Sequence, residues 1–278
     1  MKIYISADME GVSGVVHPEH TGWSGRRHHE ARLLMTGDIN AAIDGAFAAG
    51  ASEVVVCDSH SNGRNVVLEE LDPRARLAWG RQNRSLGQVH GIDNSYAALV
   101  MVGFHARAGT PGVLNHTINS GVVHQFRLNG EAYGEVDINA ALAGVFGVPI
   151  AFVSGDDRVV AQSKSRFPAI ETVTTMESIG TYSALLHAPK AARVLVRDGV
   201  ERALGRLADM TVLQLDGPYT LEIDFKDTAM AETASLVPGV EKVGGLTGRF
   251  THHDLLEVFR AALVMITLGA TERWETTV

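Results

Sequence analysis

Three apolar stretches of this chain end in residues that bind metals. The first strand, read over Lys2–Gly11, ends in Asp8 and Glu10 at alternate positions; Glu53–Asp58 runs into His60 and Ala97–Phe104 into His105. Side chains two apart on a strand point the same way, so Asp8 and Glu10 are expected to converge. Two convergent carboxylates repel each other unless a cation lies between them. Imidazoles beside carboxylates suit Zn²⁺, with Mn²⁺, Co²⁺ or Fe²⁺ as substitutes. Glu135, where a later helix opens, is placed to join them. Asp8, Glu10, His60, His105 and Glu135 are more donors than a single catalytic zinc uses, because such a site keeps a position open for water. The set therefore predicts two ions about 3.5–4 Å apart, holding a hydroxide nucleophile between them. Asp8 is the expected bridge.

Local pattern supplies the elements that would carry these donors. Residues 28–49 follow a helical period and stop at Gly50, and the β-branched run 53–58 comes next. Strand, helix, strand in that order predicts a right-handed parallel unit. Residues 97–104 form a third strand, and a turn-rich loop from His105 to His116 follows. A hairpin strand is expected over 122–128, turning at Asn129-Gly130. A helix over 134–146 and a parallel strand over 149–154 follow, and Gly155-Asp156-Asp157-Arg158 opens another helix as a cap. Further on, residues 189–207 and 255–268 read as helices and 219–225 as a half-exposed antiparallel strand. The expected fold is α/β: a mostly parallel, doubly wound sheet in the N-terminal half and a smaller α+β C-terminal part. The expected division is a metal-binding core over 1–155 and a part packed on it, or a second lobe, over 156–278. In open parallel sheets, ligands bind beyond the carboxyl ends of the strands, which is where the candidate donors lie.

Composition narrows the function classes. A chain of 278 residues, 45% hydrophobic, with a formal net charge of −8 and no basic run, is a poor partner for nucleic acid. The single cysteine, Cys57, excludes an intrachain disulfide and suits a reducing cytosol. No apolar run is long enough for a membrane span, and Met1-Lys2 leads straight into a strand without signal-peptide character. The expected location is cytoplasmic. Gly11-Val12-Ser13-Gly14 is neither a phosphate-binding loop nor a nucleophile elbow, and Cys57, set among apolar residues, reads as an inert thiol.

The ordered set of motifs resembles the zinc-dependent D-aminopeptidases of the DppA type. It comprises Ser6-x-Asp8-x-Glu10-Gly11, Asp58-Ser59-His60-Ser61, Gly103–Ala108, Thr110–Val113, His116, Gly134-Glu135 and Gly155–Asp157. The resemblance implies a binuclear zinc site with two Zn²⁺ per subunit on Asp8, Glu10, His60, His105 and Glu135. It further implies that His116 is the active-site histidine outside the metal shell and that the protein forms a ring-shaped homodecamer. The implied activity is hydrolysis of the N-terminal amide of short peptides or aminoacyl amides, D-amino-acid-containing ones in particular. Arg107 and Asn115 are candidate substrate-binding residues. Between His116 and Glu135 the chain is one residue longer than the family pattern, near the Asn129-Gly130 turn. Two other readings share these residues: a non-catalytic metal-binding or regulatory protein, and a different binuclear hydrolase such as a phosphoesterase. The latter would want more cations near the metals than Arg107 and Arg64 provide.

Overall fold

In the computed structural model, which describes residues 1–80 and 86–273, the apolar runs become strands and the 3.6-period stretches become helices. In chain order the first elements are β1 (Lys2–Ala7), α1 (Pro18–Thr21), α2 (His28–Ala48), β2 (Glu53–Asp58), β3 (Ala75–Ala78) and β4 (Ala98–Phe104). Next come β5 (Val123–Leu128), β6 (Glu131–Ala132), α3 (Glu135–Val145), β7 (Ile150–Asp156), α4 (Asp157–Arg166), β8 (Glu171–Gly180) and β9 (Ser183–Leu186). The chain continues through α5 (Pro189–Leu204), β10 (Tyr219–Phe225), α6 (Thr228–Ala234), β11 (Glu241–Val243), β12 (Thr247–His252) and α7 (Leu255–Gly269).

Among the described residues these strands form two sheets. The larger has the order β3-β2-β1-β4-β7-β8-β9 and is parallel except for the β8–β9 pair. The smaller, β11-β12-β10-β5-β6, is antiparallel throughout. Sheet membership interleaves along the chain. β5 and β6 leave the large sheet for the small one, and β7 to β9 return to it, so residue 155 falls within β7 rather than at a change of sheet.

Both faces of the large sheet are covered, which is why β4 and β7 are buried at every position. Ile3, Ile5, Val54 and Val56 on one face pack with Ile39 and Ile43 of α2 and Val196 and Val200 of α5. Tyr4, Leu99, Met101 and Phe104 on the other join α3, the small sheet and α7 in a second core. The first strands run outward from β1 to β2 to β3, and β4 then starts on the opposite side of β1. The switch point of the topology thus lies between β1 and β4, where ligand sites of such folds form.

Two glycines allow that switch point to close. A Cβ on Gly11 would stand 1.9 Å from the Phe104 carbonyl oxygen, and one on Gly155 would stand 2.0 Å from the same atom. Thr175 of β8 spans both segments, its hydroxyl sharing one hydrogen between Gly11 O at 2.6 Å and Gly155 O at 3.0 Å. Since the Phe104 oxygen belongs to backbone, no rotamer change relieves an added methyl. Gly11→Ala is expected to destabilise the protein by about 3 kcal/mol or more, because overpacking here must shift main chain. Thermal unfolding measures this: Tm should fall by several degrees, whereas an unchanged Tm would mean that the contact is not tight.

Candidate metal centre

The turn after β1 delivers the first two donors. Strand periodicity alone would carry Asp8 and Glu10 to one side, but β1 ends at Ala7 and their convergence comes from the turn. Asp8 N donates to Val102 O and Gly11 N to Gly103 O, so residues 8–11 wrap against the end of β4. Beyond β2, Gly63 N bonds His60 O and closes a turn that aims His60 inward. His105 follows β4 directly, and Glu135 is the first residue of α3. Asp8, Glu10, His60, His105 and Glu135 are all buried, each no more than 7% exposed.

These side chains, carried by three strand ends and a helix start, meet in one crevice. His60 Nδ1 lies 3.0 Å from Asp8 Oδ1 and 3.1 Å from Glu10 Oε2. His105 Nε2 lies 3.6 Å from Asp8 Oδ2 and 3.5 Å from Glu135 Oε1. Asp8 therefore stands between the two imidazoles, one oxygen towards each. His116 stacks on His105 with ring centroids 4.0 Å apart and planes 9° from parallel, its Nε2 3.7 Å from Glu135 Oε1.

Each imidazole has one nitrogen against a main-chain carbonyl: His60 Nε2 at Thr21 O (3.0 Å), His105 Nδ1 at Ala106 O (3.1 Å) and His116 Nδ1 at Leu114 O (2.9 Å). A nitrogen facing a carbonyl must carry the proton, so in the neutral ring the opposite nitrogen presents its lone pair to the carboxylates. This is the arrangement by which outer-shell carbonyls fix metal-binding histidines. Two buried atoms, Glu10 Oε2 and His105 Nε2, make no hydrogen bond. Ligand atoms of Asp8, Glu10 and His105 lie within 4.8 Å of one another, as do those of His105, His116 and Glu135. A donor set of this kind, with two buried polar atoms left without a hydrogen bond, fits divalent zinc.

On protein charges alone the cluster is strongly perturbed. Burial, and then Glu10, pushes Asp8 up to about 7. Burial opposes ionisation of Glu135, but His105 outweighs it and holds the carboxyl down at about 2. Burial would also lower His105, yet Glu135 chiefly, with Glu10 and Asp8, pushes it up to about 10. His116 is lowered by burial and by its stacked neighbour His105. A group of buried acids so dependent on positive charge is one where a bound cation would dominate the electrostatics.

Other polar residues at the strand ends do different work. Asp58 faces its own loop, its Oδ2 accepting from Asn65 N (2.5 Å) and Val66 N (2.8 Å) and its Oδ1 from Asn65 Nδ2 (2.8 Å). Asp156 caps α4 through Val159 N and also accepts from Val113 N, tying down the loop that bears His116. Arg107 and Asn115 are half-buried in that loop but are not among the residues lining the cavity.

That cavity, about 640 Å³, opens onto Asp8, Glu10, His60, His116 and Glu135, and it is also lined by Ile138 of α3 and Phe259, Leu263 and Ile266 of α7. Gln88, half-buried between the carboxylates, also lines it; its Nε2 donates to Asp8 Oδ2 (3.1 Å) and Glu135 Oε2 (2.5 Å). Gln88 Oε1 in turn accepts from Asn139 Nδ2 at 2.6 Å. Nothing periodic marks Gln88 in the sequence. Asn139, four residues after Glu135 on a helix, shares its face, and that spacing was a usable signal.

The family model described as D-aminopeptidase matches residues 1–264. The chain belongs to the D-aminopeptidase family. A D-aminopeptidase of Bacillus subtilis (strain 168) is 37% identical over 272 residues, covering 97% of this chain and 98% of that one. Among solved structures, a zinc-dependent D-aminopeptidase, DppA from Bacillus subtilis, described as a self-compartmentalizing protease, superposes with a TM-score of 0.95. It is 34% identical, with 99% of this chain and 100% of that chain covered. The family, the mixed α/β fold and the aminopeptidase enzyme class expected from the sequence are thereby borne out.

The separation of ligands from anchors can be tested directly. Asp58→Ala leaves the buried main-chain amides of Asn65 and Val66 without an acceptor, while Asn65 Nδ2 keeps His60 O, and should cost about 2–4 kcal/mol of stability. Zinc content of the folded fraction, measured by elemental analysis, should stay at the wild-type level; loss of zinc would make Asp58 a ligand.

Proposed function

We propose that this protein is a binuclear zinc aminopeptidase that removes N-terminal residues from short peptides or aminoacyl amides, D-amino-acid-containing ones in particular. The observation that carries the reading is the pair of imidazoles with fixed tautomers, one on each side of Asp8, facing Glu10 and Glu135 across a buried crevice. Asp8, Glu10, His60, His105 and Glu135 would hold the ions, with Asp8 shared. Zinc bound there supplies Lewis acidity towards the scissile carbonyl and a water-derived nucleophile at neutral pH.

The chain's own groups account for the rest. His116 borders the cavity, and its Nδ1–H is committed to Leu114 O, so Nε2 is the atom that exchanges a proton with the reacting amide. Burial keeps this ring below the usual histidine range, hence neutral and ready to accept the first proton. Passed to the leaving amine, that proton completes cleavage. Ile138, Phe259, Leu263 and Ile266 give the substrate an apolar wall in the same cavity as the donors. This favours apolar side chains by roughly 1–3 kcal/mol per well-buried group.

Resemblance to a self-compartmentalizing relative supports a homo-oligomer, proposed as a decamer whose ring encloses the sites. A cytoplasmic location is proposed with it, in keeping with the one buried thiol, Cys57. No helix among the described residues is long and apolar enough to cross a membrane.

Metal analysis followed by a screen of D- and L-aminoacyl amides and short peptides tests the reading. Two zinc ions per subunit and release of the N-terminal residue are expected; zinc without amide cleavage would favour a non-catalytic metal protein. His116→Ala should lower kcat by about 10²–10⁴-fold with zinc content unchanged. Loss of zinc as well would make His116 a ligand. Leu263→Arg should weaken apolar substrates more than alanyl ones, read as the ratio of their kcat/KM values. An unchanged ratio would remove α7 from the substrate pocket.

A further inference from the structure

The carboxylates of Asp8 and Glu135 arrive from opposite sides of the crevice, one from the turn after β1 and the other from the start of α3. Gln88 lies between them. Its two amide hydrogens are fully used, one on Asp8 Oδ2 and one on Glu135 Oε2. The orientation of the carboxamide follows from chemistry, because turning it over would set its oxygen against two carboxylates and its NH₂ against the Asn139 NH₂. Asn139 is itself buried and one helical turn from Glu135, so the clamp is built from the helix that supplies the ligand.

The backbone of this segment is equally fixed. Ser6 Oγ donates to Gln88 O at 2.8 Å, and the Tyr4 hydroxyl donates to His90 O at 2.6 Å. Tyr4, Ser6 and Asp8 alternate along one side of β1 and its extension, so a single face of the chain grips Gln88 by main chain and side chain together. The remaining carboxylate oxygens, Asp8 Oδ1 and Glu135 Oε1, accept from Met9 N and Ile118 N while facing His60 and the His105–His116 pair.

We propose that Gln88 is a positioning residue of the metal centre. Its carboxamide, oriented by Asn139, staples Asp8 to Glu135 and sets which carboxylate faces stay open to the ions. It acts through the ligands rather than on substrate, since neither of its N–H groups is left to donate elsewhere. The inference rests on the metal reading given above.

Gln88→Met removes both donors at nearly constant volume. Zinc affinity of the chelator-stripped, full-length protein is measured by competition with a chromophoric chelator, alongside thermal unfolding of the metal-free form. A 10–100-fold weaker affinity for at least one zinc is expected, the range typical of outer-shell partners. A variant with lower metal-free Tm but wild-type zinc affinity overturns the proposal, because a purely structural role moves only the first. Should Gln88→Met not fold, Asn139→Leu decides: it frees Gln88 Oε1, and zinc affinity should fall in the same direction by a smaller factor, with unchanged affinity overturning the proposal. Wild-type protein that takes up no zinc overturns both this inference and the metal reading. Tight wild-type binding that the variant retains overturns this inference alone.

Discussion

The structure depends on burying three carboxylates and three imidazoles in one crevice. Asp8, Glu10 and Glu135 cannot stay ionised together away from water unless positive charge is supplied. Within the chain the imidazoles supply it; with zinc bound, the metal does. Much of the surrounding architecture reads as support for that concentration of charge. Main-chain carbonyls of Thr21, Ala106 and Leu114 decide which nitrogen each ring presents, and the amides of Met9 and Ile118 hold the carboxylates. The support comes from loops and turns, but each is tied to the large sheet at its topological switch point.

Much of this was legible in the sequence because the donors directly follow apolar runs. Asp8, Glu10, His60 and His105 stand within three residues of strand ends, and a parallel sheet brings such ends to one edge. Their convergence was readable for a reason only partly right: strand alternation stops at Ala7, and the turn closed by Gly11 completes the approach. The helices α2, α3 and α7 and strands β2, β4 and β10 follow local periodicity within one or two residues, whereas β1, expected to run to Gly11, ends at Ala7.

What was not legible depends on long-range pairing. β8 is rich in threonine, only partly buried, and has no strict alternation, so its place beside β7 emerges only when the sheet is assembled. The exchange of strands between sheets at β5 and again at β7 likewise has no local signature. Asp58 has the residue type and the place of a ligand but turns to its own loop, a choice made by Asn65 and Val66 seven and eight residues away. Gln88 is the converse: an uncharged side chain in an aperiodic segment, which acquires meaning only from the two acids on either side of it.

The shared face of Tyr4, Ser6 and Asp8 has a consequence for assembly. Ile3, Ile5 and Ala7 alternate with them and fill the opposite core, so each residue from Ile3 to Asp8 is committed to one side or the other. A slip of one position would turn the phenol, the hydroxyl and the carboxylate into the α2–α5 layer and leave segment 88–90 unheld. Correct pairing of the first strand is therefore checked twice, by the fit of its apolar side and by the polar hooks on the other. A molecule whose carboxylates and imidazoles have met in the crevice has already passed both checks.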